Sequence, residues 1–205
     1  MTTGRPTSSG SWDTVVGSTR VLFDGVPAPV LYASTGQTSV MVPYSISGRS
    51  TTAIRVEYQG LQSSPITYNV VAVVPAIYTL NQSGSGPGAI LNSDGTVNMP
   101  NDSAPRSSYV TVYMTGEGQT TPAGVDGTVT PEDPSGWKKP QLPVTATVGG
   151  VPATVYYAGS APGIIAGVMQ VNVQIPQSAP TGGSVPMLIY VGNSSTQANV
   201  TVAVR

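Results

Sequence analysis

Residues 145–159 read TATVGGVPATVYYAG, and residues 20–34 read RVLFDGVPAPVLYAS. Each is a β-branched and aromatic run, then Gly-Val-Pro-Ala, then a second run that ends in Tyr-Ala. Gly permits positive φ, and Pro fixes φ near −65° while removing a ladder donor, so Gly25-Val26-Pro27 and Gly150-Val151-Pro152 mark hairpin reversals. Working outward, 38–50 (TSVMVPYSISGRS) corresponds to 169–184 (MQVNVQIPQSAPTGGS), and 54–73 (IRVEYQGLQSSPITYNVVAV) to 187–204 (MLIYVGNSSTQANVTVAV). The order of strands and turns is the same in both sets. Two copies of one pattern predict two similar domains rather than one large one.

The side-chain periodicity is that of strands. In Gln170-Val171-Asn172-Val173-Gln174-Ile175, the Val and Ile positions should face a core while the Gln and Asn positions face out. Val200, Val202 and Val204 should be core, alternating with Asn199, Thr201 and Ala203. The turns Tyr58-Gln59-Gly60 and Val191-Gly192-Asn193 join the last two strands of each copy. Between the copies, residues 89–98 read as a hairpin with Asp94-Gly95 at its tip. Tyr109-Val110-Thr111-Val112-Tyr113-Met114 is an alternating strand, expected to open the second domain. Residues 119–143 read as a long irregular loop, of the kind that is often functional.

The resulting expectation is an all-β chain of two tandem immunoglobulin-like sandwiches. An extended arm spans 1–18, the first domain 19–82, a hairpin-containing linker 83–104, and the second domain 105–205. The first copy has no counterpart to the strand at 109–115. It is therefore expected to lack an edge strand and to leave backbone donors and acceptors open to pairing.

Composition narrows the function. The 205 residues carry a formal charge of −1, and only 8% are charged against a usual value near 25%. The eight Lys and Arg are scattered apart from Lys138-Lys139, which argues against nucleic acid, whose phosphates demand clustered cations. No apolar run approaches the ~20 residues of a membrane span, so no membrane insertion is expected. No signal peptide is legible at Met1, and an exported protein would have been numbered after its removal. His and Cys are absent, which removes imidazole and thiolate catalysis and the commonest metal ligands. Among the nine acids, Glu117 and Asp126 are the best carboxylate pair because one loop holds both. A solvated-turn role is the simpler reading. Asn92-Ser93-Asp94-Gly95 fits a turn better than calcium, which wants six to eight oxygens. No cofactor, metal or enzymatic activity is expected.

Several segments resemble a known family: GAILNSDGTVN at 88–98, VTVYMTGEGQTTPAGVDG at 110–127, LPVTATVGGVPATVYYAG at 142–159, APGIIAGVMQVNVQIP at 161–176 and VTVAVR at the end. They resemble the uncharacterised C-terminal domain family abundant in Acidobacteria of the Solibacter type. The resemblance covers roughly residues 19–205. It implies a sandwich similar to the IPT/TIG domains, placed at the end of large exported proteins, with no established activity. The chain departs from that pattern at its start, where the family's Pro-Gly-Ser strand is not found in residues 1–18.

These readings predict a secreted or cell-surface protein that associates with copies of itself, as an oligomer or polymer, or with a larger surface protein. The expected mechanism is strand addition by residues 2–18, with Trp12, Val15 and Val16 filling pockets on a neighbour. A second reading is polysaccharide binding through exposed aromatics such as Trp137, Tyr156 and Tyr157. A third is a passive C-terminal sorting or spacer domain. Neighbours in a strand point to opposite faces, so one of Tyr156 and Tyr157 should be core and the other surface.

Overall fold

The computed structural model describes residues 1–8 and 10–205. The chain is all-β and divides into two compact units. The first comprises Met1–Ala72, Ala123–Trp137 and Pro162–Gly167, and the second comprises Val73–Pro122, Lys138–Ala161 and Val168–Arg205.

In the first unit the strands are β1 (Thr2–Thr3), β2 (Thr19–Phe23), β3 (Val26–Pro27), β4 (Val30–Ala33), β5 (Thr38–Val40), β6 (Thr51–Tyr58), β7 (Leu61–Gln62) and β8 (Ile66–Asn69). They form two sheets, β1-β4-β5 and β3-β2-β6 with both β7 and β8 beside β6. Asp24-Gly25 and Gln59-Gly60 take positive φ at both residues (51° and 86°; 50° and 82°), which a type I′ two-residue hairpin requires. The core is small: Val21, Phe23, Ala28 and Ile46 form one cluster, and Val16, Val30 and Ala33 another.

The second unit holds β9 (Ala76–Ile77), β10 (Gly86–Pro87), β11 (Ile90–Asn92), β12 (Tyr109–Thr115), β13 (Thr120–Thr121), β14 (Lys139–Pro140), β15 (Val144–Val148), β16 (Val151–Ala153), β17 (Val155–Ser160), β18 (Val168–Gln174), β19 (Gly182–Val191), β20 (Ser194–Ser195) and β21 (Val200–Val204). One sheet runs β10-β21-β19-β15-β16 and the other β11-β12-β18-β17. The two share one core to which Val112, Val148, Val171, Val173, Ile175, Met187, Ile189 and Val200 contribute fully buried side chains. The alternation expected for 170–175 and for Val200, Val202 and Val204 is realised. Ala203, expected to face out, is also buried. Both units are immunoglobulin-like in their essentials, with antiparallel hairpins closing layers over an apolar interior.

The structure departs from the expected boundaries in three places. Residues 83–104 pack into the second unit and do not form a separate linker. β10 pairs in parallel with β21, and β11 pairs with β12. The buried Asn98 locks this segment down: its Oδ1 accepts from the Ala203 N–H (2.7 Å) and its Nδ2 donates to the Ala203 carbonyl (2.9 Å). The strand at 109–115 is therefore not the first of its unit. The arm is not separate either. β1 pairs with β4, and the Gly4 N–H donates to the Leu31 carbonyl at 2.9 Å. Any Cβ at Gly4 would overlap the Val30 carbonyl oxygen, so the close approach requires glycine there.

Most of the long loop expected at 119–143 belongs to the first unit. Trp12 N–H donates to Gly127 O (2.7 Å) and Thr130 N–H to Ile164 O (2.8 Å), with bridges at Ser11–Thr128 and Val129–Ile165. Segments 123–137 and 162–167 thus join a unit whose strands all come from residues 1–72.

Candidate functional site

The feature that sets the first unit apart is its unfinished side. At the two ends of the β4–β5 ladder, Met41 N–H donates to Pro29 O (2.9 Å) and Ser34 N–H to Gln37 O (2.8 Å). These bonds flank the Val30–Val40 and Ala33–Thr38 pairs, which are therefore non-hydrogen-bonded pairs of an antiparallel ladder. The backbone N–H and C=O groups of Thr38 and Val40 consequently point away from β4, toward the rim. No strand among the described residues pairs with that rim.

The other sheet of this unit also leaves apolar positions uncovered. Residues paired across an antiparallel ladder share a face. Phe23 lies opposite Ile54, Val21 opposite Val56, Tyr58 opposite Leu61, Ile54 opposite Ile66, and Thr52 opposite Tyr68. Since Val21 and Phe23 are core residues, all of these lie on the core side. Yet Val56, Tyr58, Leu61, Ile66 and Tyr68 are exposed, Leu61 by 79% and Ile66 by 60%. The unit thus combines an apolar inner face that reaches solvent with an unpaired strand edge. The charged side chains of this sheet lie on its other face. There Arg20 clasps Glu57 through Nε and Nη2, both at 2.9 Å, and holds that carboxyl below its ordinary pKa.

The arm residues expected to reach a neighbour are used within the unit. Trp12 Nε1–H donates to the Val30 carbonyl at 2.8 Å, and Val16 is buried against Val30 and Ala33. Only Val15 is exposed. The arm occupies the rim of β4, opposite the open rim of β5, and this corrects its expected role as a free donor strand. Trp137 is half-buried and donates through Nε1 to the Pro131 carbonyl within its own loop.

Tyr156 and Tyr157 do not divide between core and surface. A bulge lies between Val155, which faces Val173, and Tyr157, which faces Asn172. Tyr156 is the extra residue. Its exposed ring meets Tyr109 edge-on with centroids 5.0 Å apart, and its hydroxyl donates to Gln174 Oε1 at 3.2 Å. The Tyr109 phenol beside it pushes the Tyr156 pKa up. The Tyr157 hydroxyl donates to Ser160 O (2.7 Å), and burial, helped by the Glu117 charge, pushes its pKa up to about 12.

Glu117 and Asp126 belong to different units. Glu117 is buried in the second unit, and Asp126 accepts the Tyr44 N–H in the first. Asn92 ties its hairpin to the following segment, and Asp94 serves its own turn. Asn92 Nδ2 donates to Asp102 O (2.8 Å), and Asp94 Oδ1 accepts from Thr96 N–H (3.0 Å) and Oγ1 (2.7 Å). Among the described residues no group of three metal-ligating side chains occurs, and no helix is long and apolar enough to cross a membrane.

No family model and no curated protein matches the chain. Among solved structures it is similar to the crystal structure of a tandem from titin, at 8% identity over 95% of this chain and 58% of that one, with a TM-score of 0.27. The chain thus spans under two thirds of that protein's length. The fold assignment rests on the paired sheets, since so loose an overlay carries no argument.

Proposed function

We propose that this chain is a structural and assembly module of the cell exterior, without catalytic function, whose first unit accepts an extended β-segment from a neighbouring polypeptide. That polypeptide is a second copy of the chain or a larger surface protein. The single observation behind this is that one unit carries both an unpaired rim at β5 and the exposed inner-face side chains Val56, Tyr58, Ile66 and Tyr68. A strand laid there would bond its main chain to Thr38 and Val40 and press alternate side chains onto that face.

The energetics favour it. Fully burying one such side chain contributes about 1.5–3 kcal/mol. Completing the burial of four partly exposed ones therefore competes with the cost of association, of order 4–15 kcal/mol. A contact made by one end of a molecule on another builds a ring where the rotation closes and a fibre where it does not. Placement outside the cell is supported by the low charge and by the resemblance to the Solibacter-type family.

Light scattering across a concentration series tests this. The intact protein should grow in mass with concentration, whereas Ile66→Lys/Tyr68→Lys should stay monomeric with unchanged circular dichroism. A parallel titration uses a Lys-tailed peptide of the sequence 109–116, the alternating strand of the second unit, and should shift the amide signals of Thr38 and Val40. If the protein stays monomeric and the peptide moves neither signal, strand acceptance is wrong.

A further inference from the structure

The second unit carries a groove of about 570 Å³ on the outer face of the sheet β11-β12-β18-β17, lined among others by Tyr109, Thr111, Tyr113, Tyr156, Gln170 and Asn172. Its floor follows from the strand period. Val110, Val112 and Met114 point into the core, so Tyr109, Thr111 and Tyr113 point out. Across the ladder Tyr113 meets Gln170 and Thr111 meets Asn172. The bulge in β17 turns Tyr156 onto this face, where Tyr109 braces it edge-on.

The lining chooses a ligand class. No Lys, Arg, Asp or Glu lines the groove. The nearby Asp94 is folded into its own turn. Asn172 Oδ1 accepts from Thr111 Oγ1 (3.2 Å) and Gln170 Nε2 (3.0 Å), which fixes both amides. The Asn172 N–H groups and the Gln170 carbonyl then have no protein partner among the described residues. Half-exposed phenol rings beside oriented, uncharged donors and acceptors suit a molecule with apolar faces and hydroxyl edges. A peptide fits less well, because the floor is the face of a sheet whose backbone groups are already paired, so an incoming main chain would lose its hydrogen bonds with water unreplaced.

We propose that this groove binds a neutral polysaccharide, with sugar rings stacked on Tyr113 and Tyr156 and ring hydroxyls bonded to Gln170 and Asn172. Tyr109 and Tyr113 lie four residues apart on one strand, roughly 13–14 Å, so a single sugar cannot span the site and affinity rises with chain length. This site lies wholly within the second unit and does not depend on strand acceptance by the first.

The test uses calorimetry and amide-shift mapping on the full chain. The probes are cellohexaose, xylohexaose, mannohexaose and maltohexaose, with glucose and polygalacturonate alongside. At least one neutral hexaose should bind and shift Gln170 and Asn172, more tightly than glucose and than the anionic polymer. Tyr113→Ala and Tyr156→Ala should each weaken that binding about tenfold without lowering the melting temperature, the loss of one stacking contact. Tyr156→Phe should retain it, as should Tyr68→Ala in the first unit. The proposal is overturned if no hexaose shifts the groove, if binding survives both alanine variants, or if polygalacturonate binds as well as the neutral chains.

Discussion

Ile66 and Tyr68 in the first unit are equivalent to Val200 and Val202 in the second, but the first pair is 60% and 56% exposed and the second 0% and 1%. The equivalence follows from register: Thr19 faces Tyr58 as Val144 faces Val191, and Thr52 faces Tyr68 as Val185 faces Val202. Both copies therefore turn the same positions inward. The difference is what lies above them. In the second unit the core includes Ile77, Ile90, Val110, Val112 and Met114, contributed by β9, β11 and β12. The first unit has no counterpart of β12 among its described strands. Periodicity tells a side chain which way to face, and only a covering element makes that direction a core.

The largest effect is expected for Ile189→Ala, which removes fully buried methyls and should cost the second unit about 2–5 kcal/mol in denaturant unfolding. Val56→Ala at the equivalent position should change stability by no more than about 0.5 kcal/mol. Equal losses would mean that the first unit is covered after all. Next, Ile66→Ser/Tyr68→Ser should remove most of the binding of a hydrophobic fluorescent dye to the native protein, because the apolar patch is interrupted. Undiminished fluorescence would place the exposed apolar surface elsewhere.

A smaller effect is expected at high pH and in the second unit alone. Tyr157 keeps its proton up to about 12, against an ordinary value of 10.0. A folded value above the unfolded one contributes stability that is complete below pH 10 and is lost as pH rises toward 12. Tyr157→Phe should flatten this alkaline step in melting temperature, and an unchanged step would assign it to another group. In the first unit the sign is reversed. The Ala53 N–H, the Thr52 hydroxyl and Arg49 hold the Asp24 carboxyl below its ordinary value. Its contribution is present above pH 3.8 and fades as pH falls through the lower folded value, so Asp24→Asn should blunt acid unfolding of that unit. The smallest effect belongs to Thr38→Pro. Its N–H faces the open rim, so the change should leave stability within about 0.5 kcal/mol while weakening any strand addition there. A larger loss would show that the rim is already paired.

Much of the fold was legible in the residues. The turn at Gln59-Gly60, the alternation at 170–175 and the strand at 109–115 are local, and local conformational cost decides them. The reversals expected at Gly25-Val26-Pro27 and Gly150-Val151-Pro152 fall earlier, at Asp24-Gly25 and Gly149-Gly150, and Val26-Pro27 and Val151-Pro152 already lie in strands. Arm and linker were misread for a shared reason. Segments such as 1–18 and 83–104 carry little periodicity, and their partners lie far away in sequence. Trp12 finds Val30, and Asn98 finds Ala203. The groove was half legible. Tyr156 stood out as an aromatic in a strand, but its approach to Tyr109 depends on a bulge that no local signal marks.

Residue order alone was enough for the duplication, the hairpins and the inward positions of 170–175 and of Val200, Val202 and Val204, because turn geometry and a two-residue period act within a few residues. Only the packed fold shows that 123–137 and 162–167 belong to the first unit, that the arm is spent on the rim of β4, and that β5 keeps an open edge. Those outcomes are set by which distant backbone groups and apolar surfaces find partners, and the spacing of residues along a chain does not encode that pairing.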